Sequence, residues 1–214
     1  MSPEAITTER IYALLKADII RGRYPPRSEI VATTIARECG VSIAPIRDSA
    51  QRLIGERLLV PLHGGGFAIP DITEQGLHDL LFWHGQLVRN AVNLHRTSSM
   101  HIHVIDYEFN TESPEAMART AGALFAAIAT RAQNDEIAHA VLAAGDRLHA
   151  IRVKEAENLR GVGEELRAVQ TLTADGPDQD LIQALWAYHR RRLRRIRQLV
   201  EAVGGTVGGR TAIE

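Results

Sequence analysis

Apolar residues recur at three- and four-residue intervals from the start of the chain. Ile6, Ile11, Leu14, Leu15, Ile19 and Ile20 mark one face of a helix predicted over 6–23, with Gly22 placed to stop it. Pro25 and Pro26 then impose an extended turn, because proline fixes φ and pushes the residue before it away from helical backbone. Ser28 is the expected N-cap of a second helix that carries Ile30, Ile35 and Ala36 and ends at Gly40, where a left-handed residue is wanted. After a very short turn, Ser42 is placed to cap a third helix with Ile46, Ala50, Leu53 and Ile54 on its inner stripe. Pro45 is tolerated in its first turn, whose amides have no intrahelical acceptor. Arg47, Asp48, Gln51 and Arg52 are left facing outward.

The period then changes. Residues 58–62 and 67–70 are short apolar segments, and His63-Gly64-Gly65-Gly66 between them supplies the positive φ angles of a hairpin tip. A helix, a tight turn between two further helices and a glycine-tipped hairpin predict a winged helix-turn-helix over 1–70. Pro70-Asp71-Ile72-Thr73 breaks the pattern, so 71–73 is the expected linker, with Thr73 or Asp71 capping the next helix. Helical patterning resumes over 74–97, 114–132, 134–160, 162–174 and 178–203. Residues 204–214 contain two Gly-Gly pairs and no apolar period and are expected to be a flexible tail. The predicted fold is mostly α, a winged helix-turn-helix followed by an antiparallel helical bundle.

Composition narrows the function classes. At 45% hydrophobic and 24% charged residues the chain can bury a core, and no run reaches the ~20 apolar residues of a membrane span. Glu4, Glu9, Arg10, Lys16 and Asp18 stand where a signal peptide would need its apolar stretch, so a cytoplasmic protein without membrane contact is expected. Cys39 is the only cysteine, which excludes an intrachain disulfide and a cysteine-clustered zinc site. The net charge of −1 conceals an asymmetry: residues 181–203 hold six Arg against Glu201 and carry +5, leaving −6 elsewhere. The expected role of these Arg is the solvated face of a last helix, not a nucleic-acid tail, with Leu185, Tyr188 or His189, Leu193, Ile196 and Val200 on its buried stripe. His101-x-His103 lacks an acidic third ligand and reads as surface, and His149 can pair with Asp146 or join Arg152 on an anion. No Ser or Cys has a base arranged around it, and Gly64-Gly65-Gly66 lies between strands, where it cannot cradle a phosphate at a helix start. No catalysis is expected.

The stretch from Ile11 to Pro26, then Ile35-Ala36, Gly40-Val41-Ser42, Pro45-Ile46-Arg47 and His63-Gly64, resembles the N-terminal signature of GntR-family bacterial transcription regulators. The order and length of the later helices resemble the branch with an all-helical, FadR-like ligand-sensing domain. The resemblance implies a homodimer that binds a palindromic double-stranded operator and responds to a small effector. It assigns DNA contact to Arg47 on the recognition helix and to His63 and Gly64 at the wing tip. Ser42, Gln51, Arg52 and Arg27 are further candidates, the last two because Glu29 and Ile43 stand where relatives carry Arg.

Many members also hold a divalent metal through an Asp and three His. Helix order puts Ala121, Phe125, Leu166 and His189 at those places, so neither metal nor other cofactor is expected. The implied pocket is lined by His84, Ala121, Phe125, Leu166, Trp186 and His189 and takes a small apolar or aromatic effector. His189 is then either a hydrogen-bonding group to ligand or a satisfied core histidine. The rival readings are a metal-dependent helical enzyme using the nine His, or a winged-helix protein without operator specificity.

Overall fold

The computed structural model describes residues 3–97 and 109–208, so His101 and His103 lie outside the described residues. The chain divides into two compact units, Met1–Ile72 and Thr73–Glu214, each with its own core.

In the first unit, α1 (Pro3–Ile20) buries Ile11, Leu15 and Ile19. It is closed by Gly22 at φ 72°, whose amide reaches back to the Ile19 carbonyl. The second helix does not begin at Ser28. Ser28 closes a turn by donating from its hydroxyl to the Pro25 carbonyl at 2.7 Å, and Glu29–Ile30 forms a strand, β1. Helix α2 (Ala32–Cys39) starts only afterwards, with Val31 in the N-cap position. The cause is non-local: Ile30 pairs with Phe67 and is buried, which outweighs its fit to a helical stripe.

Gly40 takes the left-handed conformation at φ 65°, and its turn hands the chain to α3 (Ile43–Gly55). Ser42 occupies the N-cap position, but its hydroxyl makes no capping bond. Helix α3 buries Pro45, Ile46, Ser49, Ala50 and Leu53, and the half-buried Ile54 packs beside them. Strands β2 (Val60–Pro61) and β3 (Phe67–Ala68) form the hairpin, with Gly65 and Gly66 at φ 85° and 97°. Sheet order is β1-β3-β2, all antiparallel, so the wing is anchored through β3 to the segment between the first two helices. Leu58, Leu59, Phe67 and Ile69 complete a core with the three helices, each such side chain contributing about 1.5–3 kcal/mol by burial.

The second unit begins at α4 (Glu74–Thr97), capped by Thr73, whose Oγ1 accepts from the Gly76 amide at 3.0 Å. Helices α5 (Pro114–Thr130), α6 (Asp135–Asn158) and α7 (Val162–Asp175) follow, α5 and α6 capped by Ser113 and Asn134. The helix expected over 178–203 is two: α8 (Asp178–Leu193) and α9 (Ile196–Ala202), divided where Arg195 leaves helical dihedrals at φ −120° and ψ 15°. The break lets Leu199 and Val200 pack into the core on α4 and α6. Beyond Gly204, expected to be free, Thr206 forms a parallel bridge to Thr73. The core gathers Leu81, Val88, Leu124, Ile128, Leu148, Ile151, Leu166 and Leu185 from five helices.

The arginine run is only partly a solvated face. Arg192 is fully buried, its Nε 2.8 Å from Glu155 and its Nη1 2.8 Å from Glu165. It also stacks on the Tyr188 ring, 3.3 Å from its centroid. Tyr188 and His189 are both buried, whereas Leu193 and Ile196 are half-buried. A lone charge on that stripe would be costly; two carboxylates and the Tyr188 carbonyl make it tenable.

Candidate functional site

On the first unit, α3 presents Arg47, Asp48, Gln51 and Arg52 outward, and Ser42 lies exposed at its start. Arg47 and Gln51 have no hydrogen-bond or ionic partner among the described residues, and both are free to reach a base edge. Arg52 is committed otherwise: its Nη1 pairs with Glu9 at 2.6 Å and its guanidinium lies 3.7 Å from the Tyr12 ring centroid. Arg27, at φ 68°, faces Asp71 with 3.8 Å between Nε and Oδ1. His63 and Gly64 are exposed at the hairpin tip, and the Glu29 carboxylate stands beside Gly66. The unit holds nine Lys and Arg against eight Asp and Glu, and Lys16 and Arg23 are tied to Glu56 and Asp18. Attraction for a polyanion therefore rests on few side chains.

In the second unit, α4, α6 and α8 bring three polar side chains together in the core. His189 Nδ1 lies 2.7 Å from the Leu185 carbonyl, which can only accept, so Nδ1 carries the proton and Nε2 is a lone pair. His84 Nδ1, 2.8 Å from that Nε2, must donate to it, which leaves His84 Nε2 as an acceptor for Arg152 Nη2 at 3.2 Å. The chain therefore runs one way, Arg152 to His84 to His189 to the Leu185 carbonyl, through two neutral imidazoles. Burial, then Arg152 and the neighbouring His189, hold His84 well below the usual imidazole value. Burial, against the Leu185 carbonyl and reinforced by Arg192 and Arg152, brings His189 down to about 3. Phe125 packs edge-on against His84 with centroids 4.9 Å apart. Gly85 is required beside this chain, because a Cβ there would stand 3.0 Å from the His189 ring.

This geometry does not fit the metal that the family resemblance raises. Both ring nitrogens of His189 are taken, and Ala121, Phe125 and Leu166 offer no donor.

A cavity of about 100 Å³ opens beside the same cluster, lined by His84, Arg119, Gly122, Phe125, Val141, Leu142, Gly145, Asp146, His149 and Arg152. Of the expected pocket residues, His84 and Phe125 are on its wall. Ala121, Leu166 and His189 are buried elsewhere in the core, and Trp186 is exposed, 4.9 Å from Arg190 and 5.9 Å from Arg89 by ring centroid. The wall is thus more polar than expected, and an apolar effector does not match it. At its edge Glu115 pairs with His149 at 3.1 Å and Arg119 at 3.6 Å. Sequence reading passed over Arg152 as a core residue and missed Glu155. The signal was available: both fall on the inward stripe of α6 with Val141, Leu148 and Ile151, where a charge needs a reason.

A helix-turn-helix with a winged hairpin followed by a helical bundle is the architecture of a winged-helix regulator, not of an enzyme. Residues 7–69 match the family model described as bacterial regulatory proteins, gntR family, and through this domain the chain belongs to that family. The HTH-type transcriptional repressor GlaR of Escherichia coli (strain K12) is 29% identical over 75 residues, 35% of this chain. The match spans about a third of that relative's length, 34%. Over nearly the whole chain the fold is that of E. coli McbR/YncC, with a TM-score of 0.65 and 14% identity over 90% of this chain and 97% of that one. It is also that of a Rhodococcus sp. RHA1 protein described as a transcriptional regulator GntR, with a TM-score of 0.69 and 16% identity over 88% and 96% of the two chains. At such identities the likeness is one of fold.

Proposed function

We propose that this chain is a ligand-responsive transcription regulator that binds a palindromic operator as a homodimer in the cytoplasm. Residues 1–70 serve as the DNA-binding domain, 71–73 as linker and 74–203 as the effector-binding and dimerisation domain. The observation that carries the reading is the outer face of α3, where Arg47 and Gln51 stand exposed and unpartnered one helical turn apart, with the Ser42 hydroxyl at the helix start. A guanidinium and a carboxamide so placed read purine edges in a major groove, while Ser42, His63 and the Gly64 backbone meet the phosphates on either side. Arg27 is a secondary contact, and Arg52 acts by fixing α3 to α1 through Glu9. Dimerisation supplies two half-sites, and the exposed Phe82 and Trp83 of α4 and Trp186 of α8 are the surface offered for it.

Footprinting on the DNA flanking the protein's own gene tests this. Protection of two inverted half-sites a helical turn or more apart is expected, with a modulating ligand bound in the helical unit. Equal, strongly salt-dependent affinity for every sequence would instead support a winged-helix protein without operator specificity. That second reading is favoured by one observation, the Glu29 carboxylate beside the wing, which repels phosphate.

A further inference from the structure

Arg152 is 97% buried (3% exposed), yet no carboxylate pairs with it among the described residues. Its Nη2 is used on His84, its guanidinium lies 5.2 Å from the Phe125 ring centroid, and its Nη1 is buried without any hydrogen-bond partner. Arg192, the other buried arginine of this core, also has an orphan nitrogen, but two carboxylates neutralise it. Only Arg152 keeps an unbalanced charge, and it lines the cavity. Gly122 and Gly145 leave its free edge open, since a Cβ on either would sit 3.7 Å from Nη1. An unpaired buried cation is costly, and His84 cannot share the charge, because its only free lone pair already accepts from Arg152.

We infer that Arg152 anchors a small monoanionic ligand, of the carboxylate class, directly and without a metal ion. This rests on the reading of the second unit as an effector domain and replaces the apolar ligand expected from sequence. The chemistry favours a single negative charge, since Nη1 offers one open edge and Asp146 brings a carboxylate to the same wall that would repel a second anionic group. The volume favours a small molecule: a 150 Å³ cavity holds benzene, so about 100 Å³ suits roughly four or five heavy atoms. Phe125, Val141 and Leu142 line the space for a short alkyl group. The ligand is read by the whole core cluster, because drawing Arg152 towards it changes the bond on which the orientation of His84 and His189 depends.

The test uses the full chain, without DNA, in buffers of matched ionic strength, by titration calorimetry and thermal melting with sodium acetate, sodium propionate, disodium succinate and propionamide. Saturable binding of acetate or propionate with a raised melting midpoint is expected, unchanged by EDTA, with weaker or no response to succinate and none to the uncharged propionamide. Arg152→Met is expected to fold, since it removes an unpaired buried charge, and to lose the response. Gly145→Ala keeps the charge, suits the helix, covers the open edge and is expected to weaken binding at least about tenfold; it carries the test if Arg152→Met does not fold. The inference is overturned if propionamide binds as propionate does, if succinate binds more tightly, if both variants bind as the native chain does, or if binding vanishes in EDTA and returns with zinc. Because no DNA is present, failure here leaves the operator reading intact, while loss of operator recognition with intact anion titration defeats only that reading.

Discussion

At the scale of single residues, two arginines act in opposite ways. Arg47 is exposed and free, so its value lies in what it touches on a partner. Arg47→Ala should weaken operator binding by roughly 1–3 kcal/mol and relax preference at one base position per half-site, read by gel shift at fixed salt. Unchanged affinity would remove it from the interface. Arg192 is consumed inside, between Glu155 and Glu165. Glu155→Ala leaves that charge half-compensated in the core and should destabilise the second unit by about 3–5 kcal/mol in denaturant melts. A loss under about 1 kcal/mol would mean that Glu165 alone suffices. Periodicity exposed Arg47, because an outward position needs only the helix phase. It misassigned Arg192, because a charge on a buried stripe is settled by partners 37 and 27 residues away.

At the scale of elements, the same locality explains which parts were legible. The turn between α2 and α3, the glycine-tipped hairpin and the Thr73 cap are written in neighbouring residues and were readable. Strand β1 was not, since its partner Phe67 lies far along the chain and Ile30 fits a helical stripe as well as a strand. Nor was the break at Arg195, which serves the packing of Leu199 and Val200 on α4 and α6. The helices α4, α6 and α8 are tied by His84, Arg152 and His189, and that tie has a pH signature. His189 is held neutral in the fold down to about 3, whereas in the unfolded chain an imidazole takes a proton near pH 6.5. The unfolded state therefore binds more protons below 6.5, and stability present above that value falls as pH falls towards 3. For His189 alone the loss between pH 6.5 and 5 is about 2 kcal/mol, and His84, also depressed, adds in the same direction. Urea melts at pH 7, 6 and 5 check it, and a flat profile would show that the buried imidazoles are not neutral. His189→Gln should flatten the slope.

At the scale of the whole molecule, two units with separate cores divide recognition from sensing, and a lone winged helix reads only one half-site. Sedimentation at micromolar concentration should therefore give a dimer, and Trp83→Glu should shift it to monomer while leaving the circular dichroism of the bundle unchanged. A native chain that sediments as monomer yet protects a two-fold site would overturn this. The cavity was half legible: His84 and Phe125 came from family resemblance, but Arg152 and the two glycines that open its edge emerge only when α5 and α6 are placed together. The one-way hydrogen-bond chain in that core also gives each imidazole nitrogen a fixed identity. His189 Nδ1 and His84 Nδ1 are pyrrole-type and both Nε2 atoms are pyridine-type. In nitrogen-15 spectra those two kinds resonate far apart, so the protein carries a native spectroscopic label at its centre, and a pull on Arg152 would be seen first at the Nε2 of His84.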